Sequence, residues 1–342
     1  MITSADAKQR ALQLGFDLCG IAAAGEFPEL ARLPDWLARG YGGRMTYLNR
    51  SKTTRADVRH FLPSARSVVV VACLYNTDRP LSIEITDPAR ALIARYAWGD
   101  DYHDVIGRRL DALAGWIRDA CGPGFESRSS VDAAPVQEKV YAQRAGLGWI
   151  GKNTCLISPG AGSWILLGVL ACSVPFEPDE PALDRCGSCR LCIEACPAGA
   201  IAEPYVLDAR RCLSYLTIEV RGSIPVEQRQ RIGSHVFGCD VCQEVCPHNA
   251  LAPRTSEVCW QPRPLLDQPA IETLWRADDE KLGRVIEGTA LERAGVRGLR
   301  RNLAVAIGNS GQPLPLLAEM GSDPISDPVV AEHLRWARAQ PR

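Results

Sequence analysis

Eight of the 14 cysteines in this 342-residue chain are crowded between Cys186 and Cys246. Cys186-x2-Cys189-x2-Cys192-x3-Cys196 runs straight into Pro197, Cys212 stands alone, and Cys239-x2-Cys242-x3-Cys246 ends in Pro247. The first run has the spacing by which bacterial ferredoxins hold four-iron, four-sulfur clusters, and its fourth cysteine serves the other cluster where there are two. Eight thiolates make two sets of four. Cys186, Cys189, Cys192 and Cys246 are expected on one cluster, and Cys196, Cys212, Cys239 and Cys242 on the second. A zinc site would show paired Cys-x2-Cys steps, not a triple followed by x3-Cys-Pro. The chemistry expected is one-electron transfer. Cys19, Cys73, Cys121, Cys155, Cys172 and Cys259 sit in apolar or loop context and read as small buried residues.

The elements around this segment divide the chain in three. In residues 1–178 helical and strand-like patterns alternate, as expected for a domain with a real sheet. Ser67 to Leu74 is short and rich in β-branched residues, like a strand buried on both faces. Val105 to Ala120 and Val136 to Ala145 have helical spacing, and Leu156–Ile157 with Trp164–Val174 read as a hairpin around Ser-Pro-Gly-Ala-Gly. A proline- and acid-rich stretch, Pro175 to Asp184, marks a boundary. Residues 179–255 form the turn-rich, cysteine-dense unit, and residues 256–342 are helical. The fold class expected is α+β.

Net charge is −1, so the whole-molecule field is not that of a general nucleic-acid binder. Met1 to Arg10 shows no apolar export segment, and Trp164 to Val174 is too short to span a bilayer. The expectation is a cytoplasmic monomer without a membrane. Two nucleotide motifs fail. Gly146 to Gly151 with Lys152 lacks the Ser or Thr of a phosphate loop, since Asn153 stands there. As a dinucleotide fingerprint the same glycines follow a helix, not a strand, so Gly146 reads as a helix C-terminal cap. Asp101-Tyr102-His103 with Gly107 misses the Asp-x-His-x-x-Gly cobalamin signature by one residue.

Several separated stretches resemble the epoxyqueuosine reductase family. They are Arg95-Tyr96-Ala97 with Gly99 and Asp101-Tyr102-His103; Val131-Asp132 with Ala134-Pro135-Val136; Ala145 to Thr154; Cys186-Gly-Ser-Cys-Arg; Pro204 to Cys212 running on to Glu219; Phe237 to Gln243; and Arg301 to Ala306. The resemblance covers most of residues 50–310. It implies a cobalamin-binding α/β domain, a ferredoxin-like domain with two clusters, and a C-terminal HEAT-like helical domain. The implied activity is removal of the epoxide oxygen of epoxyqueuosine at the tRNA wobble position, and the implied partners are tRNA and an external donor such as a ferredoxin or flavodoxin. It places the proton donor on Asp132, with Asp101 and Tyr102 as further catalytic candidates and His103 beside them. Arg55, Arg95, Lys152, Asn153 and Ser214 are the candidate cobalamin contacts, together with Asp132. A reductive dehalogenase and a plain electron carrier are the alternatives, weakened respectively by the basic helical tail and by the long segment that precedes the clusters.

Lys281, Arg284, Arg293, Arg297, Arg300 and Arg301, continued by Arg210, Arg211 and Arg221, form a basic stripe expected to face the anticodon stem-loop. The sequence departs from the family pattern at Gln137-Glu138-Lys139, where Leu-Glu-Arg is usual, and at His248, where Trp is usual.

Overall fold

A computed structural model of the chain describes residues 2–311 and 327–340. The N-terminal half begins with α1 (Ser4–Gln13), closed by a capping box in which the Thr3 hydroxyl accepts from the Asp6 N–H and the Asp6 carboxylate accepts from the Thr3 N–H. Strands follow as β1 (Leu18–Ala23), β2 (Ser67–Leu74), β3 (Leu92–Ile93), β4 (Ser127–Ser130), β5 (Trp149–Ile150), β6 (Leu156–Ile157) and β7 (Ile165–Cys172). The helices among them are α2 (Arg32–Ala38), α3 (Thr46–Arg50), α4 (Tyr102–Cys121) and α5 (Glu138–Arg144).

A four-stranded sheet of order β1–β2–β7–β4 forms the centre of this half, and every pairing in it is antiparallel. The two faces of β2 enter two different cores. Val69, Val71 and Cys73 meet Ile106 and Leu110 of α4, while Val68, Val70 and Ala72 meet Val140 and Tyr141 of α5. Burial on both faces erases the alternation by which an antiparallel strand is usually read, so the direction of its neighbours was not legible. The hairpin expected at Leu156–Ile157 and Trp164–Val174 is not the pairing found. β6 pairs with β5, β7 joins the large sheet, and the bridge Ser158–Gly162 closes the connection between the two stretches. After α5 the chain turns through a Schellman motif: Gly146 (φ +74°) donates to Gln143 O and Leu147 donates to Ala142 O. A side chain at Gly146 would strike the Glu180 carbonyl at 2.8 Å, so the position excludes one on two grounds.

The cysteine-dense segment contains α6 (Leu191–Glu194), β8 (Ile201–Glu203), β9 (Val206–Leu207), α7 (Val226–Ile232), β10 (His235–Phe237) and α8 (Val241–Glu244). β10 runs parallel to β3 and ties this segment to the first half. The tail is helical, with α9 (Ile271–Arg276), α10 (Asp279–Ile286), α11 (Gly295–Asn309) and α12 (Pro328–Arg338). Leu274, Leu282 and Leu303 join the same core as Ile106 and Leu110, so the hydrophobic interior is continuous from the first domain into the tail. Among the described residues, no helix is long and apolar enough to cross a membrane.

Part of the basic stripe expected on the tail is taken up by the fold, while Lys281, Arg284, Arg293 and Arg297 stay exposed. Arg301 is 1% exposed and donates to the carbonyls of Leu216, Val220 and Gly222. Its neighbour Asn302 donates to Thr217 O at 2.8 Å and Val236 O at 2.7 Å. These two residues pin the tail onto the cysteine-dense segment instead of facing a ligand. Arg293 pairs with Glu219, Arg297 with Asp327, Arg300 with Asp279 and Arg210 with Asp208.

Candidate active site

The eight cysteines fall into two spatial groups. Cys186, Cys189, Cys192 and Cys246 line one cavity of about 240 Å³, together with Lys152, Asn153 and His248. Cys196, Cys212, Cys239 and Cys242 lie within electrostatic reach of one another: Cys239 feels Cys212 and Cys196, and Cys242 feels Cys239 and Cys212. α6 and α8 each carry the middle of one run and lie side by side. The indole of Trp149 points its N–H at Cys186 Sγ, 3.4 Å away, and meets the His248 ring edge-on with centroids 4.8 Å apart.

Beside the second group lies a chamber of two lobes. One, of about 570 Å³, is bounded by Tyr75, Glu138, Cys155, Leu166 and Gln243. The other, of about 720 Å³, is bounded by Tyr47, His103, Cys212, Ser214, Glu219 and Arg293. Arg55, Tyr96, Tyr102 and Asp132 line both lobes and form the waist between them. The chamber therefore touches the second-group thiol of Cys212 on one side and titratable groups on the other. Arg293 also brings the helical tail into its wall.

Asp132 follows β4 and has φ +55°, a left-handed conformation that Asp tolerates better than most residues and that costs of order 1–3 kcal/mol. The Tyr102 hydroxyl donates to its Oδ2 at 2.9 Å. Burial first, then the charge of Asp132, drives the Tyr102 phenol well above its usual range, so it keeps its proton and remains a donor. Tyr96 stands edge-on to Tyr102 at 6.0 Å and is raised in the same way.

Glu138, in the first turn of α5 and within Gln137-Glu138-Lys139, is not among the expected site residues. Its Oε1 accepts from the Asp132 N–H at 2.8 Å and from the Ser130 hydroxyl at 3.0 Å. Burial and then the charge of Asp132 push this carboxyl up to about 8, against the pull of those two hydrogen bonds and of Arg55. In the unfolded chain it titrates near 4.5. The folded protein thus holds an extra proton between those values, and this group's contribution to stability falls as pH rises from 4.5 to about 8 and then levels off. Replacing Glu138 by Gln is expected to flatten that part of the melting temperature–pH curve. Thermal unfolding across the window checks it, and parallel curves for the two proteins would contradict it.

The other expected residues are placed as follows. Arg55 stands at the waist and donates to Val136 O at 3.1 Å, and Ser214 lines the larger lobe. Asp101 does not line the chamber. Its carboxylate caps α4 through the His103 N–H at 2.9 Å and holds His103 Nδ1 at 2.7 Å. Burial pulls His103 down, but the bond and charge of Asp101 outweigh it and favour the imidazolium. Arg95 is buried and lines neither lobe, donating to carbonyls of Thr77, Arg79 and Pro80 and stacking on Trp98. Lys152 donates to Gly187 O at 2.6 Å and Cys189 O at 2.9 Å, and Asn153 donates to Cys242 O at 3.1 Å, so both brace the cysteine loops. Cys155, expected as a plain buried thiol, sits against Cys242 and lines the chamber; Cys121 is exposed. Nothing in the spacing distinguished these tertiary roles.

A domain with two thiolate groups packed against a chamber walled by acids and phenols defines a cluster-dependent redox enzyme. Residues 185–249 match the family model for a 4Fe-4S double cluster binding domain, and residues 55–133 match that for epoxyqueuosine reductase QueG. An epoxyqueuosine reductase of Xanthomonas campestris is 41% identical over 99% of this chain and 96% of its own. A solved epoxyqueuosine reductase with an epoxyqueuosine-modified tRNA-Tyr stem loop superposes with a TM-score of 0.87 at 31% identity, over 97% of this chain and 88% of that one. The same figures hold for a Bacillus subtilis epoxyqueuosine reductase with its catalytic aspartate loop swung out of the active site. The chain belongs to the epoxyqueuosine reductase family.

Proposed function

We propose that this chain reduces epoxyqueuosine to queuosine at the wobble position of tRNA, using cobalamin and two [4Fe-4S] clusters. The observation that carries the reading is the chamber waist, where Asp132 and Tyr102 share a cavity with the second-group thiolate of Cys212. Removing an epoxide oxygen as water takes two electrons and two protons. The thiolate groups can wire in the electrons, and Asp132 can supply a proton to the departing oxygen. The Tyr102 hydroxyl donates to Asp132 Oδ2 and orients the carboxyl toward the chamber. Arg55, with its cationic head at the waist, steadies negative charge there.

The chamber suits cobalamin in size, in its contact with the cluster segment, and in its mixed lining of apolar side chains, phenols and the two guanidiniums of Arg55 and Arg293. Arg55, Tyr96 and Ser214 would hold it, and when bound it supplies a centre that gathers single electrons for a two-electron step. The first thiolate group lies in an exposed loop, Gly187 and Ser188 among it, where an external ferredoxin or flavodoxin could deliver electrons. Tyr47, half-exposed on the larger lobe, offers a stacking surface for an unpaired base, and Arg50 and Lys52 close by are exposed to phosphates. The proposed organisation is residues 1–178 for cobalamin and catalysis, 179–255 for the clusters and 256–342 as a HEAT-like tail, in a cytoplasmic monomer.

The test is direct. Anaerobic protein, cobalamin and a reductant are incubated with tRNA carrying epoxyqueuosine, and the digested nucleosides are weighed. Conversion to queuosine is expected, and its absence with both clusters present would overturn the assignment.

A further inference from the structure

We propose that Glu138 is a positioning residue that clamps the Asp132 loop inward, so that the Asp132 carboxyl faces the chamber. The inference rests on the reading of Asp132 as proton donor, and it adds how that donor is held. The loop from Val131 to Val136 has little of its own to keep it closed. Its internal backbone bonds, Ala133 N–H to Val131 O and Val136 N–H to Ala134 O, span two residues each and are tight turns. Asp132 lies two residues past the last β4–β7 pair, Ser130–Val169, so the ladder gives its N–H no partner.

Glu138 Oε1 takes that N–H at 2.8 Å and the Ser130 hydroxyl at 3.0 Å. Ser130 Oγ in turn accepts from the Ala134 N–H at 3.3 Å. One carboxyl oxygen in the first turn of α5 therefore holds the entry to the loop, and Ser130 carries the tie on to Ala134 in its middle. The far end is framed by Arg55, which donates to Val136 O, while Gln137 donates to Arg55 O at 3.0 Å. α5 is itself fixed to the sheet by Val140, Tyr141 and Ala142, so the clamp is anchored in the core. With the clamp removed, the Tyr102 hydroxyl is the remaining tie on the Asp132 side chain.

Glu138→Ala and Glu138→Gln distinguish the clamp from a packing role, because the Gln amide oxygen can still accept both bonds. In Glu138→Ala, hydrogen–deuterium exchange of the 130–136 peptide in the cluster-loaded protein without tRNA is expected to quicken on the order of tenfold. Its kcat for epoxyqueuosine tRNA should fall about a hundredfold, the scale of a misplaced reacting group. KM should stay within about twofold, since the tRNA contacts are elsewhere. Glu138→Gln should restore slow exchange and most of kcat. Unchanged exchange in Glu138→Ala, or faster exchange with kcat intact, would overturn the clamp. If Glu138→Ala fails to fold with its clusters, Glu138→Asp, one methylene short of both donors, is measured by the same criteria. The exchange result is independent of turnover, so a wild-type protein that makes no queuosine would refute the proposed reaction without touching the clamp.

Discussion

Asp132→Asn is expected to fold, to keep both clusters, and to turn over epoxyqueuosine about 10²- to 10⁴-fold more slowly, the range of a lost general acid. The substitution is chosen for what it preserves. Asn accepts the left-handed φ of +55° as readily as Asp, and its amide oxygen can still receive the Tyr102 hydroxyl. What it cannot do is give up a proton to a leaving oxygen and take it back from water. Because the shape of the waist is kept, KM for the tRNA should change little and the loss should fall on kcat. Single-turnover conversion, with cluster absorbance and iron measured on the same samples, checks it. An Asn variant that keeps the wild-type rate would remove Asp132 from the chemistry and leave Tyr102 as the donor at the waist.

Cys212→Ser should lose the second cluster and keep the first, lowering iron from about eight to about four atoms per chain and abolishing deoxygenation. Cys212 stands alone in the sequence, yet it is the thiolate of its group that lines the larger lobe. A serine hydroxyl holds its proton at neutral pH and is a poor substitute for a soft thiolate on iron. The first cavity, with Cys186, Cys189, Cys192 and Cys246, has no contribution from Cys212 and should still fill. Electron paramagnetic resonance of the reduced variant is expected to show one cluster signal. Cys121→Ser, at the exposed end of α4, serves as the control and should retain about eight irons and full activity. Full iron in Cys212→Ser would mean another residue is the ligand, with Cys155, which sits against Cys242, the first to examine.

The division between the two kinds of information follows from what sets each feature. Thiolate spacing within each run is local, and the rule that the fourth cysteine of a run serves the other cluster completes the sets, so both groups of four could be written down before any fold. Helix ends were legible for the same reason, as at Gly146, where the left-handed residue after α5 is a glycine. Asp132 was found through its stretch of family resemblance, which survives without coordinates.

Side-chain destinations were not legible, since each is decided by an acceptor or donor remote in the chain. Arg301 looks like a nucleic-acid contact until the carbonyls of Leu216, Val220 and Gly222 surround it. Lys152 and Asn153 look like ligand contacts until the cysteine loops present their carbonyls. Glu138 carries no signal of its own, because its raised carboxyl arises only when α5 brings it beneath the Asp132 loop. The direction of the sheet was hidden for a related reason: a strand buried on both faces has the same apolar pattern whichever way its neighbours run. Residue type and short spacing therefore determined the metal chemistry, while the chamber waist and the hydrogen bonds that fix the Asp132 loop were decided by tertiary packing, which alone desolvates a carboxyl and supplies its partners.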